Sequence, residues 1–238
     1  MTPLEPFPED WDRALAVVAH PDDLEYGAAS AIARWTDQGR EVAYLLVTRG
    51  EAGIDSVPPD ECGPLREAEQ RAAAREVGVD VVEFLDHPDG LIEYGLPLRR
   101  DIAAAIRRHR PEMIVVGNYQ DFWPGGGRNM ADHIAVGRAT LDAVRDASNR
   151  WLFRGDGEPW GEVRRIAVSG SPSATHAVDV SEHLTRGIAS LQAHTAYLAA
   201  LYGNPMADAE AFLTHMAETD AERLPGARLA TTFELVEP

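Results

Sequence analysis

The chain has 238 residues, of which 45% are hydrophobic, and this is enough for one large domain spanning residues 1–238 with a sizeable core. Its 22 basic and 39 acidic residues give a formal net charge of −17, so nucleic acid and anionic membrane surfaces are poor partners. Cys62 is the only cysteine, which excludes an internal disulfide and a multi-cysteine zinc site.

Strand-like and helix-like segments alternate along the chain. Short apolar runs predict strands over residues 14–19, 41–48, 79–85, 112–117 and 164–169. Apolar residues at helical spacing predict helices over residues 25–38, 65–77, 98–108, 131–147 and 181–201. The tail, residues 228–236, alternates like a strand, and we expect it to add a late antiparallel edge strand. This order predicts an α/β fold with a mostly parallel sheet and helices on both faces.

Long loops follow three of the predicted strands, at residues 50–64, 86–97 and 118–130. In an open parallel sheet these loops meet at the carboxyl edge, where ligands bind. A fourth loop, residues 150–161, is rich in aromatic side chains, including Trp160. The sequence leaves open whether this fourth loop belongs to a site or is a surface excursion.

The turn after the first predicted strand, Ala19-His20-Pro21-Asp22-Asp23-Leu24-Glu25, concentrates ionisable side chains. His20 and Asp23 are three residues apart, so both can reach one point. His133, in the first turn of the helix that follows the fourth strand, is the best candidate for a third ligand. Two histidines and one aspartate with an open position suit a catalytic zinc, with Asp22 beside them to accept a proton. Taken alone, the paired carboxylates could equally cap a helix.

These stretches resemble the PIG-L/LmbE family of metal-dependent N-deacetylases. The resemblance runs from about residue 14 to about residue 200 and is carried by His20-Pro21-Asp22-Asp23 with Glu25, Thr48-Arg49-Gly50-Glu51-Ala52-Gly53, Arg66-x-x-Glu69, Asp89-Gly90, Asp132-His133 and Ala193-His194. It implies a Rossmann-like sheet with the active site at its carboxyl edge. It also implies zinc, or another divalent metal, as cofactor, and removal of an acetyl or other acyl group from an N-acetylglucosamine-type amide. The metal ligands would be His20, Asp23 and His133, and the general base would be Asp22.

The resemblance also implies residues that contact the substrate. Arg66 and Asp89 would hydrogen-bond sugar hydroxyls. Arg66 could instead pair with Glu69 one turn along its helix, and Asp89 belongs to a dipeptide that is common in turns. Arg128, in the glycine-rich loop, could hold an anionic or carbonyl group of the substrate.

The chain departs from the family's His-Pro-Asp-His pattern, in which the first histidine is a proposed general acid. Here the stretch is Met130-Ala131-Asp132-His133, and a methionine cannot donate a proton. Asp22 could return its proton to the leaving amine, or His194 or His176 could replace the missing acid, although core or surface positions also explain both histidines. Asp132 is expected to orient a ligand histidine or another active-site group.

Other functions stay open at this stage. The same chemistry could act on a glucosamine-inositol thiol conjugate or a specialised metabolite, with Phe122, Trp123 and Trp160 around a larger apolar group. A non-catalytic metal- or sugar-binding protein is compatible with Met130. A dinucleotide-binding dehydrogenase is disfavoured because the first turn lacks Gly-x-Gly-x-x-Gly.

The location and assembly of the protein are inferred from what the sequence lacks. The first ten residues have neither the basic start nor the apolar core of a signal peptide, and no apolar run approaches the roughly 20 residues that span a bilayer. We therefore expect a cytoplasmic protein whose partner is a small-molecule amide. A homo-oligomer is left open.

Overall fold

The computed structural model describes residues 3–238, and the strands in this range form one eight-stranded sheet. The strands are β1 (Glu5–Pro6), β2 (Arg13–Val18), β3 (Glu41–Leu46), β4 (Val81–Phe84), β5 (Met113–Gly117), β6 (Arg165–Ser169), β7 (His176–Asp179) and β8 (Ala230–Val236). The α-helices are α1 (Asp23–Gly27), α2 (Ala29–Asp37), α3 (Pro59–Glu76), α4 (Leu96–His109), α5 (Ala131–Ser148), α6 (Leu184–Gln192), α7 (Thr195–Ala200) and α8 (Ala209–Ala221).

The sheet has the order β1-β7-β8-β6-β5-β2-β3-β4. Strands β2 to β6 pair in parallel with one another, which confirms the predicted α/β class. From β2 the chain proceeds outward through β3 and β4, then returns to place β5 on the other side of β2. This reversal makes the gap between the carboxyl ends of β2 and β5 the switch point at which open α/β sheets bind ligands.

The core lies on both faces of the sheet because the central strands are buried on both sides. Along β2, Ala14, Ala16 and Val18 face one apolar cluster, which contains residues of α2, α6 and α8. The intervening Leu15 and Val17 face a second cluster, built with α4 and α5. A strand buried in this way is continuously apolar, which explains its strong signal in the sequence.

The predicted edge position of the C-terminal strand was wrong. Strand β8 is antiparallel, as expected, but it lies between β6 and β7 in the interior of the sheet. Strands β7 and β1 continue the sheet beyond it, and neither was predicted. Four and two residues respectively are too short for an alternating pattern to be recognised.

Two predicted helices are interrupted near the candidate site. The predicted helix 25–38 is divided at Ala28, whose φ of −135° is not helical, into α1 and α2. The predicted helix 181–201 is divided at His194 into α6 and α7. Helix α3 begins earlier than expected, at Pro59, and α8 was not predicted. Among residues 3–238, no helix combines the length and apolar character needed to cross a membrane.

Candidate metal and catalytic site

The turn between β2 and α1 directs two adjacent carboxylates in different directions. Asp22 has a left-handed backbone, with φ of 96°. Asp23 begins α1, and its Oδ2 accepts hydrogen bonds from the backbone N–H groups of Ala19 at 3.0 Å and His20 at 2.9 Å. These bonds fix the carboxylate and leave Oδ1 facing His133 Nε2 at 3.0 Å.

His133 is held by an asparagine that sequence reasoning missed. Its Nδ1 lies 3.0 Å from Oδ1 of Asn129, whose Nδ2 donates to the carbonyls of Asn118 and Gln120. Because that amide oxygen can only accept, Nδ1 of the histidine carries the proton and Nε2 is left with a lone pair. The Trp123 ring packs edge-on against the imidazole, with centroids 5.7 Å apart. The sequence did contain a signal for this contact, because Asn129 and His133 are four residues apart and lie on either side of the start of α5.

His20 has the opposite arrangement of its ring nitrogens, with Nε2 rather than Nδ1 facing hydrogen-bond acceptors. Its Nε2 lies 3.1 Å from Asp89 Oδ1 and 3.2 Å from Asp132 Oδ2. Since carboxylates accept, Nε2 carries the proton of the neutral imidazole, and Nδ1, 3.3 Å from His133 Nε2, would present its lone pair to a metal. Ligand atoms from His20, Asp23 and His133 all lie within 4.8 Å of one another. Two imidazole nitrogens and one carboxylate oxygen are the donor set of a catalytic zinc, so the residues fit such a metal.

His20, Asp89 and Asp132 form a second group within the same distance. Both oxygens of Asp132 are already used, because Oδ2 accepts from the N–H of Gly90 at 2.8 Å and Oδ1 from that of Ile92 at 3.2 Å. The arrangement suits a hydrogen-bonding partner of His20 better than a metal ligand. Asp132 therefore lies against the His20 imidazole, and its orienting role stays a prediction.

The ionisation behaviour of the group follows from burial and neighbouring charge. Burial lowers the pKa of His20, but its hydrogen bond with Asp132 and the negative charge of Asp23 outweigh this effect and place the pKa well above its ordinary value. For Asp23, burial raises the pKa, and the charges and hydrogen bonds of His133 and His20 reverse the effect, holding it well below its usual range. For Asp22, burial dominates and raises the pKa to about 6. Neighbouring carboxylates with opposite shifts are typical of divided catalytic roles.

Arg66 lies behind Asp22 rather than on the cleft surface. The residue is 1% exposed, and its Nη2 donates to Asp22 Oδ2 at 2.9 Å and to the carbonyl of Pro21. Its Nη1 lies 3.2 Å from both Glu69 Oε2 and His194 Nδ1. The expected hydrogen bonds from Arg66 to sugar hydroxyls are therefore not supported by its position, whereas the alternative pairing with Glu69 is present.

The other residues expected to contact the substrate differ in placement. Asp89 lies at the site, where Oδ1 faces His20 and Oδ2 accepts from the N–H of Ala52 at 2.8 Å. Arg128 is exposed on the glycine-rich loop, which is closed by a short antiparallel bridge between Arg128 and Phe122.

Neither histidine considered as a substitute acid reaches this cleft. His194 is fully buried beneath Arg66. His176 lies on β7, three positions from β5 in the sheet order, with Glu5 3.8 Å away. Met130 precedes α5 and is 53% exposed.

The loop at residues 150–161 lies near the amino ends of the parallel strands, on the side of the sheet opposite to the candidate site. Trp160 donates its Nε1 proton to the carbonyl of Pro111 at 2.7 Å, just before β5 begins. Arg107 binds the carbonyls of Leu152 and Phe153 at 3.0 and 2.9 Å, which fixes the loop there. The idea that Trp160 lines a substrate cleft was therefore wrong.

The fold and this cluster define a class: an α/β protein with a histidine–aspartate cluster that could hold a metal ion at the switch point of its sheet. The PIG-L family, described as GlcNAc-PI de-N-acetylase, matches residues 15–144, and the chain belongs to this family. The chain is similar to the diacetylchitobiose deacetylase of Thermococcus kodakarensis, with 28% identity over 196 residues that cover 80% of this chain and 71% of that protein.

Two further similarities extend this assignment. The chain is 30% identical over 182 residues to the 1D-myo-inositol 2-acetamido-2-deoxy-alpha-D-glucopyranoside deacetylase of Kineococcus radiotolerans, covering 62% of this chain and about half (49%) of that protein. In structure it resembles N,N'-diacetylchitobiose deacetylase from Pyrococcus horikoshii, with a TM-score of 0.85 and 22% identity over 96% of this chain and 85% of the other. This last likeness shows the shared fold.

Proposed function

We propose that the protein is a metal-dependent hydrolase that removes an acetyl group from the amide nitrogen of an amino sugar. The observation that carries the proposal is the convergence of His20 Nδ1, Asp23 Oδ1 and His133 Nε2 beside the buried carboxylate of Asp22. The deacetylase relatives and the family match support the same chemistry.

The proposed roles follow from the contacts. His20, Asp23 and His133 would hold the metal, for which we propose zinc. When bound, the metal would polarise the amide carbonyl and lower the pKa of water to about 7. Asp22 accepts a proton from the attacking water, a task suited to a carboxylate whose pKa burial raises to about 6.

Protonation of the leaving amine falls to the same carboxylate. Met130 offers no proton, and the positions of His194 and His176 do not place them at the cleft. Asp22 is therefore proposed to return the proton it has taken, so that the amine leaves neutral. One group acts as base in the first step and as acid in the second.

Acetate release from N-acetylglucosamine compounds tests this mechanism. We expect the zinc-loaded protein to release acetate, a chelator to abolish the release and added zinc to restore it. Asp22→Asn should lower kcat at least about 100-fold, as expected for loss of a general base. Asp86→Asn, which changes an exposed carboxylate after β4, is the matched control and should leave the rate unchanged. Equal rates for Asp22→Asn and the wild type would remove Asp22 from the mechanism.

Metal retention tests the ligand set separately. His20→Ala and His133→Ala should each lose bound metal, measured by elemental analysis after dialysis. Retention by His133→Ala with loss from His20→Ala would remove the third ligand.

Exposed apolar side chains around the site favour a second candidate substrate, one with a larger apolar group. Leu91, Phe122 and Met130 are 73%, 55% and 53% exposed. Their backbone segments meet at the start of α5, because Asp132 binds the N–H groups on either side of Leu91 and the N–H of Asn129 donates to Asp121. Rates measured across acyl length and aglycone size distinguish this candidate from a simple acetamido sugar.

An inositol-linked amino sugar belongs to the same test, because one relative acts on such a compound. A protein that binds the sugar without turnover at any metal loading would instead support the non-catalytic alternative. A cytoplasmic location stays a prediction, and the oligomeric state stays open.

A further inference from the structure

A buried polar cluster lies directly behind Asp22. Its members are all less than about a tenth exposed and come from α1, α3 and the junction of α6 with α7: Glu25, Arg66, Glu69, Gln70, Ser190 and His194. Such groups are costly to bury unless hydrogen bonds satisfy them, so their mutual contacts indicate what the cluster does.

His194 enters this cluster because the helix is broken at that residue. Helix α6 ends at Gln192 and α7 begins at Thr195, and the side chain of His194 is fully buried between them. On one side its Nδ1 lies 3.2 Å from Arg66 Nη1. On the other side its Nε2 lies 3.6 Å from Glu25 Oε2. Neither Nε2 nor Oε2 has a hydrogen-bonding partner among the described residues.

These contacts fix which imidazole nitrogen carries the proton. A guanidinium can only donate, so Nδ1 of His194 must accept from Arg66 and is unprotonated. The proton therefore lies on Nε2, facing the carboxylate of Glu25. Gln70 Nε2 holds that carboxylate at 2.9 Å, and Oε1 of the same glutamine accepts from the backbone N–H of Asp22 at 3.0 Å.

The guanidinium of Arg66 is enclosed from the same helix junction. The Tyr197 ring stacks on it, with the guanidinium carbon 4.1 Å from the ring centroid. Glu69 also accepts from Nη1, and the backbone N–H of Ala196 holds that carboxylate in turn. The plane of the guanidinium is thus set by acceptors at Nη1, which directs Nη2 to Asp22 Oδ2 at 2.9 Å.

We propose that His194 is a positioning residue: its unprotonated Nδ1 orients the Arg66 guanidinium, which in turn orients the carboxylate of Asp22 toward the reacting water. The inference rests on the proposed role of Asp22 as general base. Without the acceptor at Nδ1, the Arg66 guanidinium loses one of the two acceptors that hold Nη1, so its contact with Asp22 is less precisely fixed, while the metal ligands keep their own contacts.

Three substitutions separate the two sides of the imidazole. In His194→Asn, an amide oxygen can stand where Nδ1 stood and accept from Arg66. In His194→Gln, the amide reaches the position of Nε2 and faces Glu25. His194→Leu removes both contacts. His176→Asn, a histidine on β7 remote from the site, is the matched control.

We expect His194→Leu and His194→Gln to lower kcat for acetate release about 10- to 100-fold, with KM changed less than about 3-fold. His194→Asn should recover kcat to within about 3-fold of the wild type, and the control should not change it. If the Asn variant is as slow as the Leu variant, or the Leu variant retains the wild-type kcat, the proposal is wrong. A purely structural role predicts lower stability without this selective recovery.

Nitrogen-15 NMR of the histidine side chains gives a readout that does not depend on turnover. The proposal requires a His194 resonance pattern with the proton on Nε2 and an unprotonated Nδ1. A proton on Nδ1 would contradict it, whatever the rates. Failure of the proposed function has a different signature, in which the wild type releases no acetate from any acetamido sugar while the NMR pattern remains as expected.

Discussion

A single glycine on α5 permits the close approach that brings His133 to the site, and replacing it should expose this dependence. A Cβ built at Gly137 would lie 2.4 Å from Tyr119 Cβ, 3.3 Å from Tyr119 Cα and 3.4 Å from the carbonyl oxygen of Gly117. Two of these atoms belong to the backbone, so no side-chain rotation relieves the contact. In Gly137→Ala, helix α5 must move away from the end of β5, and His133 moves with it.

The expected magnitude combines two opposing effects. Alanine is favoured over glycine inside a helix by about 1 kcal/mol. Overpacking of a filled interior costs about 1–3 kcal/mol. Because a contact of 2.4 Å is far closer than real Cβ atoms allow, the overpacking cost is at the upper end of its range, and we expect a net loss of about 2 kcal/mol in the free energy of unfolding. Gly63→Ala is the matched control, because Gly63 also lies inside a helix but its Cβ would meet Arg49 and Glu51 side chains at an ordinary 3.6 Å. Because Pro64 follows Gly63 and disfavours helical backbone for a residue that carries a Cβ, the control should change the free energy of unfolding by no more than about 1 kcal/mol in either direction.

Urea unfolding of the metal-free proteins measures these energies, and competition with a chelator measures zinc affinity. Gly137→Ala should also bind zinc at least about 10-fold more weakly, because one ligand is displaced. Stability equal to or above the wild type in Gly137→Ala would refute the steric argument. Unchanged zinc affinity together with the expected loss of stability would show that the approach of α5 does not set the position of His133.

Two further predictions concern a ligand partner and a remote acid. Asn129→Ala removes the acceptor that fixes the proton on His133 Nδ1, and zinc affinity measured by calorimetry should fall about 10- to 100-fold, whereas Asn149→Ala, at the other end of α5, should not change it. Burial raises the pKa of Asp220 to about 6 despite hydrogen bonds from Thr232. Since its unfolded pKa is about 4, the folded state loses up to about 3 kcal/mol as pH rises from 4 through 6, and Asp220→Asn should flatten that part of the stability–pH profile in urea titrations. An unchanged difference between variant and wild type across this range would contradict the second prediction.

The sheet could be predicted where its strands are buried on both faces. From Ala14 to Val18 strand β2 alternates between two apolar clusters, so each of these positions is apolar and the run is conspicuous in the sequence. Strand β8 instead has several half-exposed positions, and its location depends on β7, which has only four residues. Strands β7 and β8 are far apart in the sequence, so their pairing leaves no local pattern. For this reason the interior strand β8 was predicted as an edge strand.

The candidate site, like the sheet, could be predicted from the sequence only in part. His20, Asp23 and His133 could be proposed because the chemistry of their side chains is visible in a short motif and a parallel sheet brings strand ends together. The contact between Gln70 and Asp22 joins residues 48 positions apart, and that between Arg66 and His194 joins residues 128 apart. Spacing alone could not show that Arg66 turns inward to a carboxylate instead of outward to a sugar.

The adjacent Asp22 and Asp23 acquire different properties from the backbone that carries them. At φ of 96° Asp22 occupies a left-handed conformation that costs a non-glycine residue about 1–2 kcal/mol. In return, this conformation directs the carboxylate of Asp22 to Arg66. Asp23, one residue later and in helical conformation, faces His133. A regular helix through both residues would separate the two side chains by a rotation of about 100° with no strain, but it would not place one carboxylate in the buried cluster. The strained residue is thus the point at which one turn contributes to two environments, the candidate metal site on one side and the buried polar cluster on the other.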